Sequence, residues 1–81
     1  GGFRMKEFVE FISKHLVDAP DKVIVEVRSE EEKKIVFALK VDANDIGKVI
    51  GKQGKTAQAI RTLLTAVAAK EGKRVILEIV D

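Results

Sequence analysis

The spacing of apolar residues along the chain predicts six elements of regular structure. Between Met5 and Val17 the apolar positions recur every three or four residues, with lysines and glutamates on the opposite side, which is typical of an amphipathic helix. Short segments rich in alternating β-branched residues predict strands, and two later segments have helical spacing. The predicted strands are 23–28, 34–41 and 75–80, and the two later helices are 43–50 and 55–71.

The order of these elements, α-β-β-α-α-β, predicts a single α+β domain. The short charged link SEEE, residues 29–32, makes the first two strands an antiparallel hairpin, whereas two helices between the second and third strands allow parallel pairing. We therefore expect a three-stranded mixed sheet with three helices on one face. Gly1 to Arg4 precede the only methionine, so we expect them to be a cloning remnant and the domain to span Met5 to Asp81.

The stretch GKVIGKQGKT, from Gly47 to Thr56, contains three glycines and three lysines and no acid. Its GKT ending resembles a phosphate-binding P-loop, but that motif requires a glycine where this chain has Val49. The P-loop also follows a strand directly, and a short helix is predicted here instead. The sequence therefore argues against a nucleotide hydrolase, and the stretch is interpreted as a junction between two helices.

At this junction Asp42 is the predicted N-cap of the short helix, and Gly51 is predicted to end it in the left-handed conformation. The backbone amides of Gly54, Lys55 and Thr56 would then point out of the positive end of the long helix, where anions bind. Lysines at such an end lower helix stability by a few tenths of a kcal/mol, which favours a bound phosphate. The alternative is a glycine-rich turn with solvent-exposed lysines.

Charge is distributed unevenly, although the net charge is only +2. Residues 46–70 hold five basic side chains and no acid, while the rest of the chain holds ten basic and thirteen acidic residues. A basic segment that coincides with a glycine-rich junction favours a polyanionic ligand over a merely solvated surface.

The sequence IGKVIGKQGK, from Ile46 to Lys55, resembles the I-G-x-x-I-G-x-x-G core of KH domains, and the element order resembles their bacterial, type II form. From Met5 to Asp81 the chain is similar to the small single-domain KhpA family. The resemblance implies that the G-x-x-G loop binds about four nucleotides of single-stranded RNA. It implies backbone contacts by Gly51, Lys52, Gln53, Gly54, Lys48, Lys55 and Thr56, and a base groove formed by Ile46, Gly47, Val49 and Ile50.

Three assignments stay open at this point. Val49 and Ile50 are expected to belong partly to the core, and Arg61 is either an RNA contact or a solvated side chain. Single-stranded DNA is an alternative ligand to RNA. A protein-interaction subunit with little RNA affinity of its own is an alternative function.

The long helix is apolar over a wider arc than one sheet covers, because Ala59, Leu63 and Ala66 adjoin the arc of Ala57, Ile60, Leu64, Val67 and Ala68. Packing of the first helix against these residues would explain the extra width. The KhpA resemblance instead implies a dimer face at Ala59, Leu63 and Ala66, in a homodimer or in a pair with a larger KH-containing protein, KhpB.

The remaining features predict an absence of catalysis. The chain has no cysteine and one histidine, His15, which we interpret as structural, and Glu30 to Glu32 are interpreted as solvated acids. We expect no metal, no cofactor, no enzymatic activity and no membrane span, and a location in the cytoplasm. The family resemblance implies a role as an RNA chaperone or post-transcriptional regulator linked to cell-envelope growth and cell shape.

Overall fold

The structure, a computed structural model, describes residues 2–80. Gly1, in the expected remnant, and Asp81, the predicted end of the domain, lie outside this range. The helices are α1 (Gly2–Leu16), α2 (Ile46–Ile50) and α3 (Lys55–Lys70), and the strands are β1 (Ile24–Glu30), β2 (Lys34–Lys40) and β3 (Arg74–Val80). Three 3-10 turns, Pro20–Lys22, Ala43–Asp45 and Lys52–Gly54, lie between them.

The three strands form one sheet in the order β1-β2-β3, as predicted. β1 and β2 pair antiparallel, with Val27 opposite Phe37, and β2 and β3 pair parallel, with Phe37 opposite Leu77. The predicted element order and the mixed sheet are therefore confirmed. Because β2 is central, β1 and β3 are both edge strands, and the outer edge of β3 borders the surface described below.

The hydrophobic core lies between one face of the sheet and the three helices. Ile35, Phe37 and Leu39 alternate along β2 and are fully buried, so this face of the central strand forms the floor of the core. The predicted inner arc of α3 is confirmed, with Val67 half-buried and the other four positions buried. The side chains that complete the core from the helices include Met5, Val9, Val49, Ile60 and Leu64.

Several predicted boundaries were wrong, for local reasons. α1 begins at Gly2, three residues before the predicted start at Met5. β1 continues through Glu30 because a β-bulge between Val27 and Ser29 adds a residue to the strand, so the turn is confined to residues 31–33. The predicted helix 43–50 is instead a 3-10 turn followed by α2, which is only five residues long.

Candidate nucleic-acid interface

α2 enters the candidate site from a capped turn. The Asp42 carboxylate accepts a hydrogen bond from the amide of Asn44 at 2.9 Å, so the predicted N-cap is confirmed for the 3-10 turn that precedes α2. Val49 points from α2 into the core and is completely buried. These contacts direct the opposite side of α2, which carries Gly47 and Ile50, toward the surface.

The bend after α2 depends on a close contact between Gly51 and Thr56. Gly51 has φ 79° and ψ 172°, so its φ is positive as predicted, but its ψ is extended and not that of a left-handed helix. A Cβ on Gly51 would lie 2.5 Å from Thr56 Cβ and 2.8 Å from Thr56 N. Glycine is therefore required at this position by the protein's own packing, whether or not a ligand is present.

The residues between the two glycines are held in an unusual conformation. Lys52–Gly54 form a 3-10 turn in which Gln53 has φ 57° and ψ 27°, the left-handed region that non-glycine residues rarely occupy. Such a conformation costs about 1 kcal/mol for a residue with a side chain. Backbone outliers of this kind concentrate at binding sites, so the loop is a candidate for one.

The amide groups at the start of α3 do not all point outward, which corrects the sequence-based expectation. The Gly54 amide donates to Gly51 O at 3.1 Å, and the Lys55 amide donates to Lys52 O. The Thr56 amide lies against the Gly51 bend. The amides that have no carbonyl acceptor within the turn are instead those of Lys52 and Gln53, its first two residues. A helical residue followed by a left-handed one orients successive amides into a concave anion-binding nest.

Positive charge at the loop comes from two side chains. Lys52 and Lys55 are exposed, and neither forms an ion pair with another side chain within residues 2–80. Gln53 is exposed beside them and contributes an amide side chain. Because no carboxylate in the described part of the chain pairs with these two lysines, their field is available to a phosphate near the Lys52–Gln53 nest.

Lys48 is committed elsewhere, although the sequence placed it among the backbone-binding residues. Its ammonium lies 3.1 Å from Asp18 Oδ2 and 3.4 Å from Asp45 Oδ1. The ion pairs raise the pKa of Lys48, with the hydrogen bond to Asp18 as the main cause. Two carboxylates thus compensate the charge that was expected to attract RNA.

Asp45 is the buried member of this cluster. Burial acts to raise the pKa of its carboxyl group, but hydrogen bonds from the amides of Ala19 and Asp18, together with the Lys48 ammonium, outweigh that effect and hold the pKa below its usual value. The carboxylate thereby connects the turn before α2 to the segment after α1.

The predicted base groove is only partly available. Val49 is fully buried and cannot touch a base, so its assignment to the groove was wrong. Ile50 is 37% exposed and Ile46 is half-buried, and both can offer apolar surface. A Cβ added to Gly47 or Gly54 would meet nothing within 4 Å, so the backbone is accessible at both glycines.

A second groove, which the sequence did not reveal, lies between α3 and the open edge of β3. It has a volume of about 230 Å³ and is lined by Arg61, Leu64, Thr65, Val75, Ile76 and Leu77. The Arg74 amide donates toward β2, to Lys33 O, so the alternating peptide groups of Val75 and Leu77 face the open edge. Strand pairing brings these groups together, and no local sequence signal marks them.

Arg61 lies at this groove. Its Nε and Nη2 donate to Leu77 O at 3.3 and 3.1 Å, so this exposed side chain also makes a structural contact with β3. Whether it contacts RNA stays a prediction. The guanidinium covers a backbone carbonyl that an edge strand would otherwise leave unpaired.

Comparison with known proteins decides the family. The family model described as KhpA/KhpB, KH domain, matches residues 6–79, which is nearly the whole chain. The chain belongs to this family. The KhpA/KhpB family consists of RNA-binding KH domains and not of enzymes, in agreement with the predicted lack of catalytic activity.

Individual KhpA relatives match over almost their full length. The RNA-binding protein KhpA of Aquifex aeolicus (strain VF5) is 53% identical over 77 residues, which cover 95% of this chain and 96% of that protein. The RNA-binding protein KhpA of Clostridium perfringens (strain 13 / Type A) is 56% identical over 77 residues, covering 94% of this chain and 100% of that protein.

Among solved structures, the KH fold recurs in a larger protein. The structure of Era in complex with MgGDPNP and nucleotides 1506–1542 of 16S ribosomal RNA superposes with a TM-score of 0.67 at 22% identity. The match covers 93% of this chain but only 28% of the Era chain. At this level of identity the similarity shows a shared fold and nothing more.

The predicted dimer face, the histidine and the acidic turn all lie at the surface of this KhpA/KhpB-family domain. Ala59, Leu63 and Ala66 are exposed on α3, with Leu63 50% exposed, so α1 does not cover them. His15 Nδ1 donates to Phe11 O at 2.8 Å, and Glu30 pairs with Lys73 at 3.9 Å. Within residues 2–80 there is no cluster of acidic side chains or histidines suited to a metal ion, and no helix is both long and apolar enough to cross a bilayer.

Replacing Asp45 with Asn will lower the midpoint of thermal unfolding by several degrees at neutral pH. Because the pKa of Asp45 is lowered in the folded state, its stabilising effect is present above the unfolded value of 3.8 and is lost as pH falls through the folded pKa. The difference between wild type and Asp45→Asn will therefore shrink in thermal melts at progressively lower pH. Asp21→Asn, at an exposed acid, is the control. A difference that stays constant down to the most acidic melt would contradict the assignment.

Proposed function

We propose that this chain is a single-stranded RNA-binding protein that holds the RNA backbone at the loop of Lys52, Gln53 and Gly54. The observation that carries the proposal is the loop itself, which is strained, free of acids, and exposes two lysines that form no ion pair within residues 2–80, beside the open backbone of Gly54. The names of the KhpA relatives, each an RNA-binding protein, support the same ligand.

Each part of the loop has a distinct task in this proposal. The amides of Lys52 and Gln53 donate to one phosphate, and the ammonium groups of Lys52 and Lys55 neutralise the charge of that phosphate and its neighbour. Gly54 has φ 75° and ψ 10° with open space above it, so the sugar-phosphate chain can pass close to the peptide. Gly51 and Thr56 shape the bend, and their direct contact with RNA stays a prediction.

The bases would lie along the surface beyond the loop. Ile46, Gly47 and Ile50 offer an apolar wall on α2, and Gly47 lets a base approach closely. Arg61 follows Lys55 by six residues, or about 9 Å along the helix axis, and the groove beside it at the β3 edge is a further candidate contact for adjacent nucleotides. Four nucleotides is the usual length held by a KH domain.

The biological role belongs to the same proposal. A single domain that grips about four nucleotides binds weakly, and such binding suits an RNA chaperone or post-transcriptional regulator in the cytoplasm. The link to cell-envelope growth and cell shape rests on family resemblance alone. Identifying RNAs crosslinked to the protein in its own cells is the experiment that tests it.

The double variant Lys52→Asp and Gln53→Asp will abolish binding to a short single-stranded RNA and leave the thermal melt nearly unchanged, because both side chains are exposed. For the wild type, two lysine–phosphate contacts predict a slope of about −1.4 in log K against log salt. Fluorescence anisotropy across a salt series measures both quantities. Equal affinity of the wild type and the double variant would refute the site, and a competing DNA oligomer of matched sequence tests the DNA alternative.

Gly54→Ala and Gly72→Ala form a matched pair that separates backbone strain from ligand approach. Both glycines have positive φ, +75° and +69°, and neither has an atom within 4 Å of an added Cβ. Each variant will lose about 1 kcal/mol of unfolding free energy. Only Gly54→Ala will weaken RNA binding, by about tenfold or more, since its methyl group stands in the backbone path. Equal RNA affinities of the two variants would show that RNA does not approach Gly54.

The exposed apolar face of α3 supports a second element of the proposal, a homodimer or a pairing with a larger KH-containing, KhpB-like protein. Two linked domains would hold one RNA more tightly than either alone, through effective concentration. The same exposed face keeps the protein-interaction subunit as a second candidate function, because Leu63 is 50% exposed without a partner among residues 2–80.

Leu63→Glu will convert any dimer to a monomer by placing a charge in the apolar contact, as measured by light scattering during size-exclusion chromatography. RNA binding by the isolated monomer will persist, because Leu63 is remote from the loop along α3. The control is Gln58→Glu, on the exposed side of the same helix. Leu64→Ala is not suitable, since Leu64 is buried. A monomeric wild type would remove this face from the proposal.

A further inference from the structure

α2 needs external support to present the RNA site. With five residues it is too short to be stable by its own hydrogen bonds. One support is Val49 in the core, and another is the Gly51–Thr56 contact at its end. The third is the ion-pair cluster of Lys48, Asp18 and Asp45 at its first turn, which we call the α2 bridge.

The α2 bridge connects α2 to a distant part of the chain. The Asp45 side chain is 3% exposed, and its Oδ2 accepts a hydrogen bond from the Ala19 amide at 3.0 Å while its Oδ1 faces Lys48. Asp18 completes the cluster from the segment that follows α1, and its side chain is 82% exposed. Lys48 is thus held between two carboxylates, one fixed by the backbone and one at the surface.

We infer that the α2 bridge positions α2 and the Lys52–Gly54 loop for RNA, so that Asp18, which lies outside the loop, is a positioning residue of the RNA site. The inference rests on the proposed function and deepens it. Lys48 holds the helix that carries Gly47 and Ile50 and does not contact a phosphate. An acid therefore contributes to the binding of a polyanion.

If Asp18 is a positioning residue, removing it will change RNA affinity in the direction opposite to that expected from charge repulsion alone. Removing a negative charge near a polyanion site normally raises affinity, because repulsion is reduced. If Lys48 were a phosphate ligand, Asp18 would compete with RNA for it, and Asp18→Ala would tighten binding. If the bridge positions α2, Asp18→Ala will weaken binding in spite of the more favourable charge.

The test compares Asp18→Ala with Asp21→Ala, which removes the same charge three residues further along. Asp21 is exposed and joins no ion pair seen in the described part of the chain. In anisotropy titrations with one short single-stranded RNA, Asp18→Ala will bind about two- to fivefold more weakly than wild type, the range that a surface ion pair provides. Asp21→Ala will bind as tightly as wild type or slightly more tightly.

Salt dependence distinguishes positioning from phosphate contact at Lys48. Lys48→Gln will lose affinity and keep the wild-type salt slope, and Lys48→Arg, which can still join both carboxylates, will restore affinity. Lys52→Gln will instead flatten the slope by about 0.7, the value of one phosphate contact to a single strand. Tighter binding by Asp18→Ala, or a flattened slope in Lys48→Gln, would overturn the inference.

Amide hydrogen exchange, measured without RNA, tests the α2 bridge independently of the proposed function. Amides of residues 46–56 will exchange faster in Asp18→Ala than in Asp21→Ala, while the amides of β2 stay equally protected in both. Equal exchange over 46–56 would overturn the bridge even if RNA binds. If wild type and the Lys52→Asp, Gln53→Asp variant bind RNA equally, the proposed function fails, and the exchange result alone decides whether the bridge holds α2.

Discussion

The contact between Gly51 and Thr56 is the constraint on which the candidate site depends. At this point the chain reverses from α2 into α3 within four residues, and the two backbones approach so closely that no Cβ fits on Gly51. The loop between the two helices is a 3-10 turn, and within it Gln53 occupies the left-handed region. The exposed loop, its strained residue and its concave row of amides thus lie directly beside this packing contact.

The fold was accessible from the sequence because each element has a clear period and a clear stop signal. Asp42 acts as a cap by chemistry that operates locally, and it was recognised as a cap from the sequence, although it caps the 3-10 turn before α2 and not α2 itself. The site was accessible only in part, because its details depend on long-range contacts. The sequence showed that Lys48 is basic, but not that Asp18, thirty residues earlier, neutralises it. It showed that Val49 is apolar, but not which side of a five-residue helix faces the core.

In the folded chain, the basic residues of the segment 46–70 have different roles. Of the cations between residues 46 and 70, Lys48 binds carboxylates, Arg61 covers a strand carbonyl, and Lys52 and Lys55 alone face the loop unpaired among residues 2–80. A count of charges from the sequence therefore overstates the field at the site. In the proposed site, two such lysines would make RNA binding salt-dependent and would be too few to make it tight.

Three residues that lower the stability of the fold lie in the same short part of the chain as the candidate site. Gly47 lies inside a helix, where alanine would be more stable by about 0.5–1 kcal/mol, and nothing within 4 Å prevents a Cβ there. Gln53 is strained by about as much again, and Lys55 opposes the dipole of its own helix. No contact within residues 2–80 compensates these three costs, and they fall within nine residues of one another. A ligand that approaches the peptide at Gly47, uses the amides held open by Gln53, and carries negative charge to Lys55 would compensate all three, and a nucleic-acid backbone with its bases has each of these properties.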